Sequence, residues 1–235
     1  TAVGYQALKA NTTADNNTAI GRLALLLNTT GAENTAVGAA AMDANTTGRD
    51  NTAIGVGSLG ANTTADSNTG LGYLALHANT TGEGNTCIGR AAGDGITTSG
   101  SNVAIGHNAL VTATTASNVT AVGFQAGDNI TTGSANTMIG YNAGGAVTTG
   151  TSNTCIGYQA GNVLASGASN NIAIGVNSVT AGSNASHNYG IGVSVTTLNE
   201  NNQFTFGNDS LGVVHNNFDT NASWTRTSDE RIKTN

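Results

Sequence analysis

Proline is absent from all 235 residues, charged residues make up 9% and aromatics 4%, and there are only two cysteines. Each shortage excludes something. The net charge is −6 with no lysine or arginine cluster, so there is no electrostatic footprint for nucleic acid or for an anionic membrane. No apolar run approaches the length of a membrane span, which argues against membrane insertion; no secretory leader is visible, and in a fragment that says nothing of compartment. The chain opens at Thr1, already inside a repeat unit, as a fragment of a longer polypeptide would. Cys87 and Cys155 share one repeat position four units apart, about 19 Å at one ~4.8 Å rung per unit. That is too far for a disulfide, so both are expected to be small buried thiols. The four histidines, His77, His107, His187 and His215, fall at unrelated repeat positions, which argues against a metal ladder. No cofactor is implied.

What the chain does have is a strict period. Glycines 4, 21, 38, 55, 72, 89, 106, 123, 140 and 157 follow each other at seventeen residues, and steps of 18, 17 and 15 lead on to Gly175, Gly192 and Gly207. A short constant period is the mark of one structural unit stacked on itself. The residue before each glycine is aliphatic (Val3, Ile20, Val37, Ile54, Leu71, Ile88), and the one before that is mostly alanine. In a strand these two columns face opposite ways. β-Branched bulk favours strands, and no helical period of 3.6 occurs. The expected fold is all-β, a parallel β-solenoid with one 17-residue coil per repeat. The bulky column would face the core, and the smooth Ala/Gly/Cys column would be open to other copies. Glycine would bend the chain into a second short strand, Ala-Leu in the early units (Ala7-Leu8, Ala24-Leu25). Asn-Thr-Thr would then make a turn. Roughly thirteen coils would give a rod about 60 Å long.

Two regularities sharpen this picture. Where the fourth residue after glycine is bulky (Leu8, Leu25, Met42, Leu59, Leu76, Leu110), the seventh is Asn or Ala; where the fourth is Gly (Gly93, Gly127, Gly144, Gly161), the seventh is Ile96, Ile130, Val147 or Leu164. A close-packed coil with room for one large group explains the exchange. Asn also recurs four places before glycine, from Asn17 to Asn188, with Val119 as the exception. Stacked amides there would form a hydrogen-bonded ladder. Asn-Thr-Thr matches the N-glycosylation pattern only as repeated turn chemistry.

The units Asn17-Thr-Ala-Ile-Gly21, Asn34-Thr-Ala-Val-Gly38 and Asn51-Thr-Ala-Ile-Gly55 resemble the head repeat of YadA-like trimeric adhesins over about residues 1–192. The resemblance implies a left-handed β-roll with three identical chains side by side. The family's repeat is usually shorter, so the Asn-Thr-Thr-Gly turn reads as an insertion. Trp224-Thr-Arg-Thr-Ser-Asp-Glu-Arg-Ile-Lys233 resembles the start of the endosialidase-type intramolecular chaperone, the peptidase S74 family. By that resemblance Ser228 and Lys233 are an autoprocessing pair that cuts after Ser228, the lysine deprotonating the hydroxyl. Only the opening of that domain is present, so this fragment itself is not expected to cleave. The chain then divides into a repeat array (1–206), a tapering trimeric neck (207–227) and the first chaperone residues (228–235), with Phe204, Phe206, Phe218 and Trp224 expected to plug the end of the roll where array and neck meet.

Together these features point to a structural or receptor-binding segment of a phage tail fibre, extracellular on the virion. Its partners would be two identical chains, other fibre or baseplate proteins, and a host surface glycan or protein. The alternative is the head of a bacterial trimeric surface adhesin. Enzymatic glycan cleavage would need paired carboxylates. Asp15, Glu33, Asp50, Asp66 and Glu83 instead fall one per coil in the turns and form no pair. The residue after each glycine forms a column that includes Tyr73, Phe124, Tyr141 and Tyr158. These are receptor-binding candidates, since aromatic rings can stack on sugars. The bland reading is a surface or interface filler.

Overall fold

The computed structural model describes residues 1–178, 186–196 and 201–217. The three residues before each repeat glycine form a short strand: β1 is Ala2–Val3, β2 Thr18–Ile20, β3 Thr35–Val37, and so on through β11, Ile172–Ile174. β12 (Tyr189–Val193), β13 (Gln203–Asn208) and β14 (Gly212–Asn217) are longer. All fourteen lie in one sheet in chain order. β1 to β13 are parallel, and every strand pairs with the same residues of the next unit, for example Thr35, Ala36 and Val37 with Thr52, Ala53 and Ile54. One repeat is therefore one complete coil. The 18-residue step keeps the register (Ile156 with Ile174), and so does the 15-residue step (Ile191 with Phe206).

The repeat glycine owes its identity to the stacking. Gly21, Gly38 and Gly55 have φ of 136°, 141° and 138°. A Cβ there would strike the carbonyl oxygen of the glycine one coil on. Beyond this bend the expected second strand does not form. Residues such as Gln6 and Leu8, or Leu23 and Leu25, take φ between 50° and 65°, the left-handed region that a continuous strand cannot use. The coils still bond to each other here, with Leu25 N–H donating to Ala41 O at 3.0 Å.

The two faces of the strands are also the reverse of the expectation. Ala19, Ala36, Ala53, Cys87, Ala104, Met138 and Cys155 are fully buried, whereas Ile20, Ile54, Leu71, Ile105, Ile139 and Ile191 are exposed. The interior is filled by the fourth and seventh residues after glycine: Leu25, Met42, Leu59, Leu76 and Leu110 in some coils, Ile96, Ile130, Val147 and Leu164 in the others. With that volume occupied, the inward strand position takes a small side chain in every coil but that of Met138, whose fourth position is Gly144.

The exchange between positions four and seven has a direct geometric basis. A Cβ added at Gly93, Gly127 or Gly161 would lie 3.0–3.1 Å from the Cδ1 of Ile96, Ile130 or Leu164. A third position takes part. Cys87, Met138 and Cys155 all occur in coils with glycine at position four, and a Cβ added at Gly93, Gly144 or Gly161 would collide with Cys87 Sγ, Met138 Sδ or Cys155 Sγ respectively. The two coils that carry glycine inward, at Gly70 and Gly190, are served by a serine of the preceding coil. Ser58 and Ser178 donate to Gly70 O at 2.9 Å and to Gly190 O at 3.0 Å.

Both turns are held by buried amides. Asn51 donates through Nδ2 to Asn34 Oδ1 at 3.1 Å and to Ala65 O at 2.9 Å, and its own Oδ1 accepts the Asn68 N–H at 2.9 Å. A second ladder runs through Asn28, Asn45, Asn62 and Asn79 with 2.8–3.1 Å steps. These four asparagines are fully buried, so as they stand in the fold they are not glycan acceptors. At Val119 the first ladder is interrupted, and Asn136 turns its amide back to Gly133 O at 3.1 Å.

The C-terminal end is closed by a hairpin, β14 running antiparallel to β13. Phe204 and Phe206 are in register with Tyr189 and Ile191, and Phe206 is exposed. These two rings extend the outer columns of the sheet and do not plug the roll. Phe218 and Trp224 lie outside the described residues.

Candidate functional site: the outer face of the rod

Tyr73, Phe124, Tyr141 and Tyr158 all project outward from the position after the repeat glycine, each 40–49% exposed. Equal spacing and a parallel register place them in one file. Phe124 and Tyr141 stack with centroids 5.3 Å apart and planes 7° apart, and Tyr141 stacks on Tyr158 at 5.1 Å and 11°. His107 meets Phe124 edge to face at 5.3 Å. Tyr73 joins the file through Arg90, whose guanidinium carbon lies 5.8 Å from the Tyr73 centroid. Arg90 Nη1 lies 2.8 Å from His107 Nε2, and a guanidinium can only donate in that contact. The sequence reading selected four rings; the structure links six consecutive rungs and adds Arg90 and His107. The signal that could have found them was already present, since both share the column.

This geometry changes what the rings can do. In a stacked file the faces of Phe124 and Tyr141 are turned toward neighbouring rings, and the ring edges and phenol hydroxyls face outward. A sugar cannot slip between rungs 5.1–5.3 Å apart. Contact with a ligand runs along the file, over its edges.

Beside this file lies the exposed aliphatic file, from Val3 and Ile20 to Ile191, flanked by half-buried threonines such as Thr18, Thr35 and Thr52. Three strand residues at ~3.3 Å and a rod of about 60 Å give roughly 600 Å² of flat, largely apolar face. Monomeric soluble proteins rarely leave more than a few hundred Å² contiguous.

The ionisable groups elsewhere have structural settings. The Cys87 and Cys155 thiols are free, and burial pushes both up to about 12. Partial burial raises the carboxyls of Asp43, Asp94 and Asp128, and His77 pulls the first two back. Among the described residues no cluster of His, Cys, Asp or Glu could hold a metal ion, and no helix is long and apolar enough to cross a membrane. Ser228 and Lys233 lie outside the described residues.

No protein-family model matches the chain, and no curated protein or solved structure does so either. What the fold defines is a parallel β-solenoid with 17-residue coils and an apolar outer face.

Proposed function

We propose that this chain is a segment of a trimeric extracellular fibre that attaches to a host surface, of the kind carried on phage tails. One observation carries the reading: a straight file of Ile, Val and Leu side chains stands in water along one side of the single chain. Burying such a file against two sister chains removes it from solvent at ~25 cal/mol per Å², on a surface approaching the ~800 Å² per partner of a stable interface. The repeated unit supports a spacer and adhesive role, because each coil repeats the same packing solution. The Ser-Asp-Glu-Arg-Ile-Lys string at 228–233 supports a fibre matured by a removable chaperone, with Ser228 and Lys233 as its processing pair.

Sedimentation equilibrium on the purified chain is expected to give three times the chain mass. An Ile54→Asp/Ile105→Asp/Ile139→Asp variant is expected to sediment as single chains. A wild-type monomer would end the trimer reading. Antibody labelling of particles and host cells then separates a virion fibre from a bacterial surface adhesin.

A further inference from the structure

Three features that need not coincide overlap along the five coils that start at Gly106, Gly123, Gly140, Gly157 and Gly175, the rings on the first four and the carboxamides on all five. The first is the stacked file His107, Phe124, Tyr141, Tyr158. The second lies one residue further round each coil. That position carries Gln6 in the first coil, then Leu23, Ala40, Gly57, Leu74 and Ala91, and from there a carboxamide in each of these five: Asn108, Gln125, Asn142, Gln159 and Asn177. All five have φ between 48° and 56°. Left-handed backbone explains asparagine there but not glutamine. None of their side chains hydrogen-bonds another described residue, so ten N–H donors and five carbonyl acceptors stand unused along the rod. The third feature is charge. Residues 1–100 hold eleven formally charged side chains, and residues 101–178 hold one, Asp128.

Resting on the attachment reading above, we propose that the double file of rings and carboxamides from His107 to Asn177 binds a linear, uncharged polysaccharide lying parallel to the rod axis. A polyol ligand needs both donors and acceptors at short intervals, and a carboxamide is the neutral side chain that offers both. Ring edges and phenol hydroxyls supply the apolar and polar flank. The rung spacing of 5.1–5.3 Å is close to the advance of one pyranose along an extended β-linked chain, so successive sugars meet equivalent pairs. Repetition of a weak contact over five coils gives affinity that no single coil has. The lack of ionic groups selects against acidic glycans, which would leave their charges unpaired.

The test uses the whole chain on an array of neutral hexasaccharides (β-linked glucose, mannose and xylose) beside sialylated and uronate oligomers. The variant is Gln125→Leu/Gln159→Leu; leucine already occupies this position at Leu23 and Leu74 with φ of 65° and 53°, so the coil accepts it. Expected are binding of a neutral oligomer, at least ~10-fold weaker binding of acidic ones, a loss of ~10-fold or more in the variant, and an unchanged melting midpoint. Preference for acidic oligomers, no neutral binding, or full binding by the variant overturns the proposal. Adhesion to host cells that resists periodate but not protease would overturn it while leaving the attachment reading intact.

Discussion

Leu110 and Ala113 form the one coil of the early kind between two of the other kind, those of Gly93/Ile96 and Gly127/Ile130. Converting it with Leu110→Gly/Ala113→Ile should give a coil that matches both neighbours. Each single change fails for its own reason. Leu110 is fully buried, and emptying such a site costs about 2–5 kcal/mol. Relief of its left-handed backbone, φ 54°, returns about 1–2 kcal/mol, leaving a net loss of roughly 0–4 kcal/mol, centred on about 2 kcal/mol. Ala113→Ile alone drives extra carbons into a filled coil and costs about 1–3 kcal/mol. In the double variant the isoleucine occupies the space the leucine left, as Ile130 does beside Gly127, so stability should return to within about 1 kcal/mol of the parent. The coupling should thus fall at the top of the ~0.5–3 kcal/mol range found for touching residues. Urea unfolding followed by far-ultraviolet circular dichroism, under one set of protein concentrations, reads all four corners of the cycle. A double variant as unstable as the two singles combined would refute the shared-space account.

Further outcomes follow from the same packing and from the ladders. Gly93→Leu places a side chain against Cys87 Sγ and 3.1 Å from Ile96 Cδ1. It should lower stability by about 1–3 kcal/mol, and Cys87→Ala/Ile96→Asn in the same chain should restore part of it; an unchanged melting midpoint in the single variant would contradict the packing rule. Asn68→Ala removes the acceptor of the buried Asn85 N–H and should cost about 1–3 kcal/mol. Val119→Asn closes the gap in the ladder and should gain about 1 kcal/mol, three bonds at ~0.5–1.5 kcal/mol each against the lost aliphatic contact; a loss of stability on closing the gap would count against the ladder. The thiols give a pH signature. Burial holds them at about 12, above the ordinary thiol value of 9.0, so the unfolded chain releases these protons first as pH rises. The stability tied to each thiol is intact below pH 9 and falls between 9 and 12 by about 1.4 kcal/mol per pH unit. Cys87→Ala/Cys155→Ala should flatten that part of a stability–pH curve, and a curve of unaltered slope would show the thiols to be accessible.

The glycine step and the Thr-Ala-Ile triplet located every strand from β1 to β12, and the exchange between Leu8-type and Ile96-type residues pointed to one buried large group per coil, while the rest of the core lies on the strand face opposite to the one expected. Strand alternation said that Ala36 and Val37 face opposite ways, but not which way. Size suggested Val37 inward. The deciding quantity is the volume already taken by Met42 or Leu59, and that depends on how the rest of the coil closes. The missing second strand has the same origin: Ala24-Leu25 has ordinary strand-compatible residues, and only the closed coil forces Leu25 to a φ of 50°. The ring file could be read residue by residue, but stacking of Tyr141 on Tyr158 requires the rise between coils. The carboxamide file was equally open to inspection; its meaning emerges only once Gln125 and Gln159 are seen to lack partners.

Because each repeat glycine sits against the carbonyl oxygen of the next, the two ends of a coil are complementary, and the same complementary pair of faces recurs at every step. A gene encoding such a chain can gain or lose seventeen codons and still close every contact. A stray insertion must be absorbed in a turn, as one is in the coil between Gly157 and Gly175. Length therefore changes in whole steps of ~4.8 Å, and a lineage can lengthen or shorten this rod by unequal recombination without inventing a new fold.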